Sequence, residues 1–237
     1  MVAAGATIID IGGESSRPGA AYVSEDEELE RVLPLVAALR AESEVAISVD
    51  TRKTRVFKAA LDAGADILND IASLGDSPGL PELVAASGAP VVLMHMKGLP
   101  TTMQEAPYYA DCLSEVGDFL RDAASKAMAA GIARDRIILD PGIGFGKRLE
   151  DNLALIRGLP ELSALGFPLL IGLSRKSFIG ALTGRPVEDR LAGGLGATAA
   201  AWIGGARLFR THDVAETRDS LLTLSAALRG APVSHNA

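Results

Sequence analysis

The chain has 237 residues, 48% of them hydrophobic and 22% charged, with 25 glycines and 12 prolines, a composition that excludes disordered, collagen-like and disulfide-scaffold proteins. Against 23 Lys and Arg stand 30 Asp and Glu, a net charge of −7 with 4% aromatic residues, which argues against a nucleic-acid or anionic-membrane binder and for a small-molecule partner. The single cysteine, Cys112, has no intrachain partner, and no leader or long apolar run opens the sequence, so a cytoplasmic protein is expected.

Short β-branched runs recur along the chain. They are Thr7–Ile11, Val45–Asp50, Ile67–Asn69, Val91–Met94, Ile137–Asp140, Leu169–Leu173 and Arg207–Phe209, and they read as parallel strands buried on both faces. Helical patterns lie between them. The first is opened by Ser24 with Glu27 three residues on, a capping-box spacing, and carries Leu29, Val32, Leu33, Val36 and Leu39 on one stripe. Others start near Lys53, Leu80, Asp111, Asp151, Ser177 and Asp213. The helix from Asp111 is expected to bury Leu113, Val116, Phe119, Leu120 and Ala124 and to stop at Gly131.

Strict alternation without a hairpin signal predicts a parallel α/β fold, either an open doubly wound sheet or a closed barrel. Gly-Ala pairs stand just before four of the strands, at Gly5-Ala6, Gly64-Ala65, Gly88-Ala89 and Gly205-Ala206, where glycine ends a helix in the left-handed conformation. Met1 to Gly5 therefore reads as the last turn of a helix. With the strand feeding that helix, the seven visible βα units make the eight of a (β/α)8 TIM barrel lacking its first strand and most of its first helix. Residues 1–237 then form a single domain, and the strands near Ile8 and Phe209 are expected to show unpaired edges.

In such barrels the working residues stand at the carboxyl ends of the strands. Those ends hold Asp10, Asp50, Asn69-Asp70, His95, Asp140, Ser174-Arg175-Lys176-Ser177 and Arg210-Thr211-His212-Asp213. Asp50, Asp70 and Asp213 could each cap a following helix, but capping alone does not require the Asn and Lys, so a polar ring around one pocket is the stronger reading. Gly142-Ile143-Gly144-Phe145-Gly146-Lys147 has neither P-loop nor G-x-G-x-x-G spacing; its glycines are expected to let backbone lie close to a flat ligand. His95, His212 and His235 lack metal-ligand spacing, and Cys112 reads as a small apolar residue. Arg17, Lys176 and Arg210 form a set suited to an anion, whereas Arg52 and Arg175 are expected to be solvated or ion-paired.

The runs Asp10-Ile11-Gly12-Gly13-Glu14-Ser15-Ser16-Arg17-Pro18-Gly19, Ser48-Val49-Asp50-Thr51, Asn69-Asp70, Met94-His95-Met96 with Gly98 and Pro100, Asp140 to Lys147, Ser174 to Ser177 and Arg210 to Val214 together resemble the bacterial dihydropteroate synthases. One departure is Ser16, where the family usually has Thr. The resemblance implies a transferase of folate synthesis, joining 4-aminobenzoate to the pyrophosphate ester of 6-hydroxymethyl-7,8-dihydropterin. It implies that Asp140, Asn69 and Lys176 bind the pterin edge, and that Asp50 stabilises charge on the pterin methylene. Arg210 and His212, with Arg17, would hold pyrophosphate. Ser177 would receive the aminobenzoate carboxylate, Phe145 and Met94 would form apolar walls, and Ser16 and Gly172 would belong to the substrate site. Asp50, Lys176, Arg210 and His212 are the implied catalytic set. Mg2+ is the implied cofactor, with its protein ligand expected in a segment preceding Met1 and no metal ligand assigned within the chain. Sulfonamides are implied as competitors and a homodimer as the assembly. The alternatives are a pterin-binding methyltransferase and a non-catalytic pterin-binding homologue.

Overall fold

The structure is a computed structural model that describes residues 1–16, 19–99 and 101–229; Arg17, Pro18, Pro100 and His235 lie outside the described residues. Seven strands alternate with helices: β1 (Ile8–Gly12), β2 (Ala46–Asp50), β3 (Ile67–Asp70), β4 (Val91–Met94), β5 (Ile137–Asp140), β6 (Leu170–Gly172) and β7 (Leu208–Arg210). All strand pairings are parallel. Strands β1 to β5 form one ladder, a bridge between Leu139 and Leu169 leads to β6, and β6 pairs with β7. Parallel pairing requires a crossover after every strand.

Those crossovers are α1 (Glu25–Glu42), α2 (Thr54–Asp62), α3 (Leu80–Ser87), α4 (Cys112–Ala129), α5 (Leu149–Arg157), α6 (Leu159–Ser163), α7 (Ser177–Thr183) and α8 (Leu191–Ile203), with α9 (Val214–Arg229) closing the described chain. The Ser24 hydroxyl accepts from the Glu27 amide at the start of α1, as the capping-box spacing predicts. Asp111 caps α4 through the Ser114 amide. α5 begins two residues before Asp151, because that carboxylate reaches back to the amide and guanidinium of Arg148 and fixes an earlier start. The glycines before strands behave as expected: Gly5, at φ 92°, ends a short 3-10 turn over Val2–Ala4.

Strands β2 to β4 are buried along nearly their whole length, while β1 and β7 are half-buried. The expectation of burial on both faces thus holds at the centre and not at the two ends. The reason lies in the pairing, since among the described residues β1 has only β2 as a neighbour and β7 only β6. The main core joins Leu68, Leu93, Ile137, Leu139, Leu169 and Ile171 from the strands to the apolar stripes of α3 to α8. A second cluster packs Val32 and Val36 of α1 against Ile47 and Val49. Phe119 departs from the predicted stripe of α4: it is partly exposed and turns its ring edge-on to His95, with centroids 4.9 Å apart.

Candidate active site

All the strands point the same way, so their carboxyl ends open on one face. Asp50, Asp140, Gly172 and Arg210 are the last residues of β2, β5, β6 and β7, Asn69 is next to last in β3, and Asp10 stands two residues before the end of β1. Arg210 is the hub. Its Nε lies 2.8 Å from Asp10 Oδ2 and its Nη2 lies 3.1 Å from Asp50 Oδ2. Asn69 Nδ2 donates to the same Asp10 carboxylate at 3.2 Å. Gly172 keeps the next space clear: a Cβ there would stand 3.8 Å from both Arg210 Cβ and Lys176 Nζ. Lys176 Nζ lies 4.7 Å over the Phe145 ring and donates to the Ile143 carbonyl.

These charges are crowded and largely dry, and their proton affinities follow. Burial and the neighbouring Asp10 carboxylate push Asp50 up to about 7, against the pull of Arg210. Burial also raises Asp140, opposed by Lys176 and by the Gly142 amide 2.7 Å from its Oδ1. Lys176 falls to about 8 through burial, with Asp140 acting in the other direction. Burial works against the charge on Arg210 as well, but Asp10, Asp50 and Asp140 outweigh it and hold that guanidinium firmly charged. The site therefore has one carboxylate, Asp50, and one lysine, Lys176, drawn toward neutrality by burial, with Asp140 also raised, around a fixed positive centre, an arrangement suited to recognising a polar heterocycle beside an anion.

The structure brings Asp50, Asn69, Asp140, Gly172, Lys176 and Arg210 together. Met94, the last residue of β4, is buried beside Gly142. His212 stands at the rim, where its Nδ1 lies 3.0 Å from the Ser174 hydroxyl. Ser177 begins α7 on the exposed side of Lys176, and Ser16 lies in the loop after β1. Among the described residues, neither Asp70 nor Asp213 caps a following helix with its side chain: Asp70 accepts the Ala72 and Leu74 amides in the turn after β3, and Asp213 is spent on Arg175, Nη2 to Oδ1 at 2.6 Å. Arg52 is likewise ion-paired, to Glu14 at 2.7 Å and Asp76 at 2.6 Å.

Three findings correct or extend the sequence reading. Gly142 and Gly146, both at positive φ, are required by neighbouring backbone: a Cβ would fall 1.9 Å from the His95 carbonyl oxygen and 2.2 Å from that of Lys97. The close approach the structure shows at these two glycines is to the loop after β4. Asp10 was one strand-end aspartate among several; its pairing with Arg210 and Asn69 depends on β7 curving round to face β1, which no local pattern carries. Lys147 is buried, its Nζ 2.9 Å from His95 Nδ1, and a lysine after a glycine-rich loop carries no signal of burial.

The pterin-binding enzyme family matches residues 1–212 of the chain. The dihydropteroate synthase of Escherichia coli strain K12 is 48% identical over 228 residues, covering 96% of this chain and 80% of that protein. Among solved structures, Yersinia pestis dihydropteroate synthase in complex with a sulfonamide drug superposes with a TM-score of 0.92 at 46% identity, covering 96% of this chain and 82% of the other. Xanthomonas albilineans dihydropteroate synthase in complex with 7,8-dihydropteroate gives 0.88 at 44% identity, with 96% and 81% covered. Strand-end chemistry, barrel architecture and identity over nearly the whole length agree: the chain belongs to the pterin-binding enzyme family, in its dihydropteroate synthase branch.

Proposed function

We propose that this chain condenses 4-aminobenzoate with 6-hydroxymethyl-7,8-dihydropterin pyrophosphate, working as one pterin-binding barrel domain over residues 1–237. The observation that carries the reading is the arginine at the end of β7, charged and flanked by Asp10 and Asp50, with Asp140 and Lys176 across the pocket. Asp140 accepts the paired N–H groups of the pterin edge, Asn69 offers both donor and acceptor, and Lys176 donates to a ring acceptor. Phe145 and Met94 flank the ring. Arg210 and His212, helped by Arg17, take the pyrophosphate oxygens, and Ser177 with Ser16 meets the second substrate.

In the reaction the aniline nitrogen bonds to the pterin methylene carbon as the bond from that carbon to the pyrophosphate oxygen breaks; the nitrogen loses one proton and pyrophosphate leaves with the bonding pair. Positive charge develops on the pterin as the leaving group departs, and Asp50 stabilises it. Arg210 balances the negative charge gathering on the other side. Mg2+ belongs to this reading as a counter-ion of pyrophosphate, since phosphate oxygens and water commonly fill most of its shell. Among the described residues no group of three or more His, Cys, Asp or Glu side chains is arranged to hold a metal ion, so no step is assigned through it. Sulfonamides would compete for the aminobenzoate position. A cytoplasmic homodimer is the assembly expected, and the exposed Ile203, Leu222 and Leu228 on α8 and α9 offer it an apolar face.

Calorimetry on Arg210→Ala tests the reading. A charge-assisted hydrogen bond is worth ~1.5–3 kcal/mol, and only the ester carries phosphate oxygens. The variant should therefore lose at least that much affinity for the pyrophosphate ester beyond any loss for the bare pterin alcohol. Unpairing Asp10 and Asp50 affects both ligands and cancels in the difference. Equal losses would remove the leaving-group role from this end of the pocket.

A further inference from the structure

The loop joining β5 to α5 is held by its carbonyls. Ile143 accepts from Lys176, Gly144 from Gln104 Nε2 at 2.7 Å and Gly146 from the Tyr109 hydroxyl at 2.8 Å. Two more, Gly142 and Phe145, accept from a single buried group, Lys147 Nζ, at 2.9 and 3.0 Å. The same nitrogen lies 2.9 Å from His95 Nδ1 and 3.3 Å from the His95 carbonyl oxygen. Every partner can accept. An ammonium brings three protons to this cage, whereas a neutral amine would bring two and aim its lone pair at an acceptor. Burial keeps His95 uncharged by lowering it to about 3, so its Nδ1 accepts and its ring proton sits on Nε2.

We propose that Lys147 is a positioning residue for the pterin: its ammonium clamps Gly142, Phe145 and His95 and so fixes the loop in the shape that presents Asp140 and Phe145 to the ring. The inference rests on the pterin reading of the pocket. Gly142 ties the clamp to recognition, because its amide donates to Asp140 Oδ1 while its carbonyl accepts from both Lys147 and the Phe145 amide. Moving Gly142 thus turns the Asp140 carboxylate, and moving Phe145 shifts the ring beneath Lys176. Among the described residues the Lys147 ammonium donates to His95, Gly142 and Phe145 and to no residue of α7, where the second substrate is placed, so its effect falls first on the pterin.

Charge and ligand are then linked. Burial pulls Lys147 down to about 7, together with Lys176 and against the carboxylates of Asp140 and Asp151. Cys112 is pushed up to about 11 and stays neutral. If the charged clamp holds the pterin-competent loop, pterin occupancy must favour the charged clamp in return.

Two measurements on the full chain test this. Calorimetry with 6-hydroxymethyl-7,8-dihydropterin on Lys147→Met should show binding weaker by about tenfold or more, while KM for 4-aminobenzoate stays within about twofold. In the wild type, NMR of 13C-labelled lysine should show the Lys147 ε-methylene titrating at higher pH when pterin saturates the protein. Wild type that binds no pterin overturns the pocket's reading and this inference together. A folded Lys147→Met that binds pterin like wild type, or loses both substrates alike, overturns the inference alone. Should that variant not fold, an unchanged Lys147 titration on pterin saturation overturns it equally.

Discussion

Replacing Asp50 by asparagine should stabilise the fold while abolishing catalysis. Asp50 is buried, 3.1 Å from one guanidinium nitrogen of Arg210 and beside a second carboxylate. Burial first and the Asp10 charge second lift it from 3.8 to about 7. At 1.36 kcal/mol per unit the ionised form burdens the native state by ~4 kcal/mol at most. The pull of Arg210 is already contained in that rise, so the net gain at pH 8 is up to ~4 kcal/mol. The sign follows from proton counting: between pH 3.8 and about 7 the native state holds this proton and the unfolded chain does not, so wild-type stability falls as pH rises through that window. Urea unfolding of wild type and Asp50→Asn from pH 4 to 8 should show the variant's advantage growing with pH and closing near pH 4. An advantage of the same size at every pH, or none at pH 8, would show that the buried charge is not what strains this site.

The β5–α5 loop supplies a paired prediction. Gly142→Ala drives a Cβ to 1.9 Å from the His95 carbonyl oxygen, whereas Gly144→Ala meets only the flexible Lys176 Cδ at 3.3 Å. Both positions have positive φ, so thermal melts should show a loss of ~1 kcal/mol for Gly144→Ala and ~3 kcal/mol or more for Gly142→Ala; equal losses would leave backbone conformation as the sole cause. Lys53 donates to Glu14, to Glu28 and to the Val23 carbonyl at 2.8 Å, and Glu28 Oε1 is already buried without a partner among the described residues. Lys53→Met strands the buried Glu28, while Glu14 keeps Arg52, and should cost ~3–5 kcal/mol in urea unfolding, with a loss under ~1 kcal/mol refuting the buried-pair reading.

How much of this could be read beforehand depended on whether the cause was local. The strands were legible because β-branched runs such as Val91–Met94 and Ile137–Asp140 admit few other readings, and the strand ends followed from them. Two helices were not foreseen. α6 starts at the residue after α5's Gly158 cap, and α8 begins at Leu191 after a break at Gly184-Arg185-Pro186; those breakers were visible, but an Ala- and Gly-rich helix gives almost no apolar period to mark its start. At the site, Asp140, Asn69 and Lys176 were legible as polar ends to apolar strands. The clasp of Arg210 on Asp10 joins residues from opposite ends of the chain, and no local pattern carries a contact made only by the curvature of the whole sheet. Lys147 was missed for a different reason: lysine is almost never buried, and only the inward-turned carbonyls around it make the exception.

The join between the first and last strands behaves unlike the rest of the wall. Elsewhere neighbouring strands are joined by backbone hydrogen bonds, in ladders or, from β5 to β6, through the Leu139–Leu169 bridge, but among the described residues β1 and β7 face each other without any, and the half-exposed Arg210 spans the interval to Asp10 and Asp50. Backbone hydrogen bonds are nearly indifferent to ionic strength, whereas an accessible ion pair is screened over a Debye length of about 8 Å at physiological salt. Added salt will therefore slacken this one seam before any other part of the barrel. Inorganic phosphate goes further than screening, since it competes with the two aspartates for the same guanidinium. The choice of buffer thus sets the resting state of the enzyme: in phosphate the arginine is partly claimed before any substrate arrives, and in a zwitterionic buffer it is not.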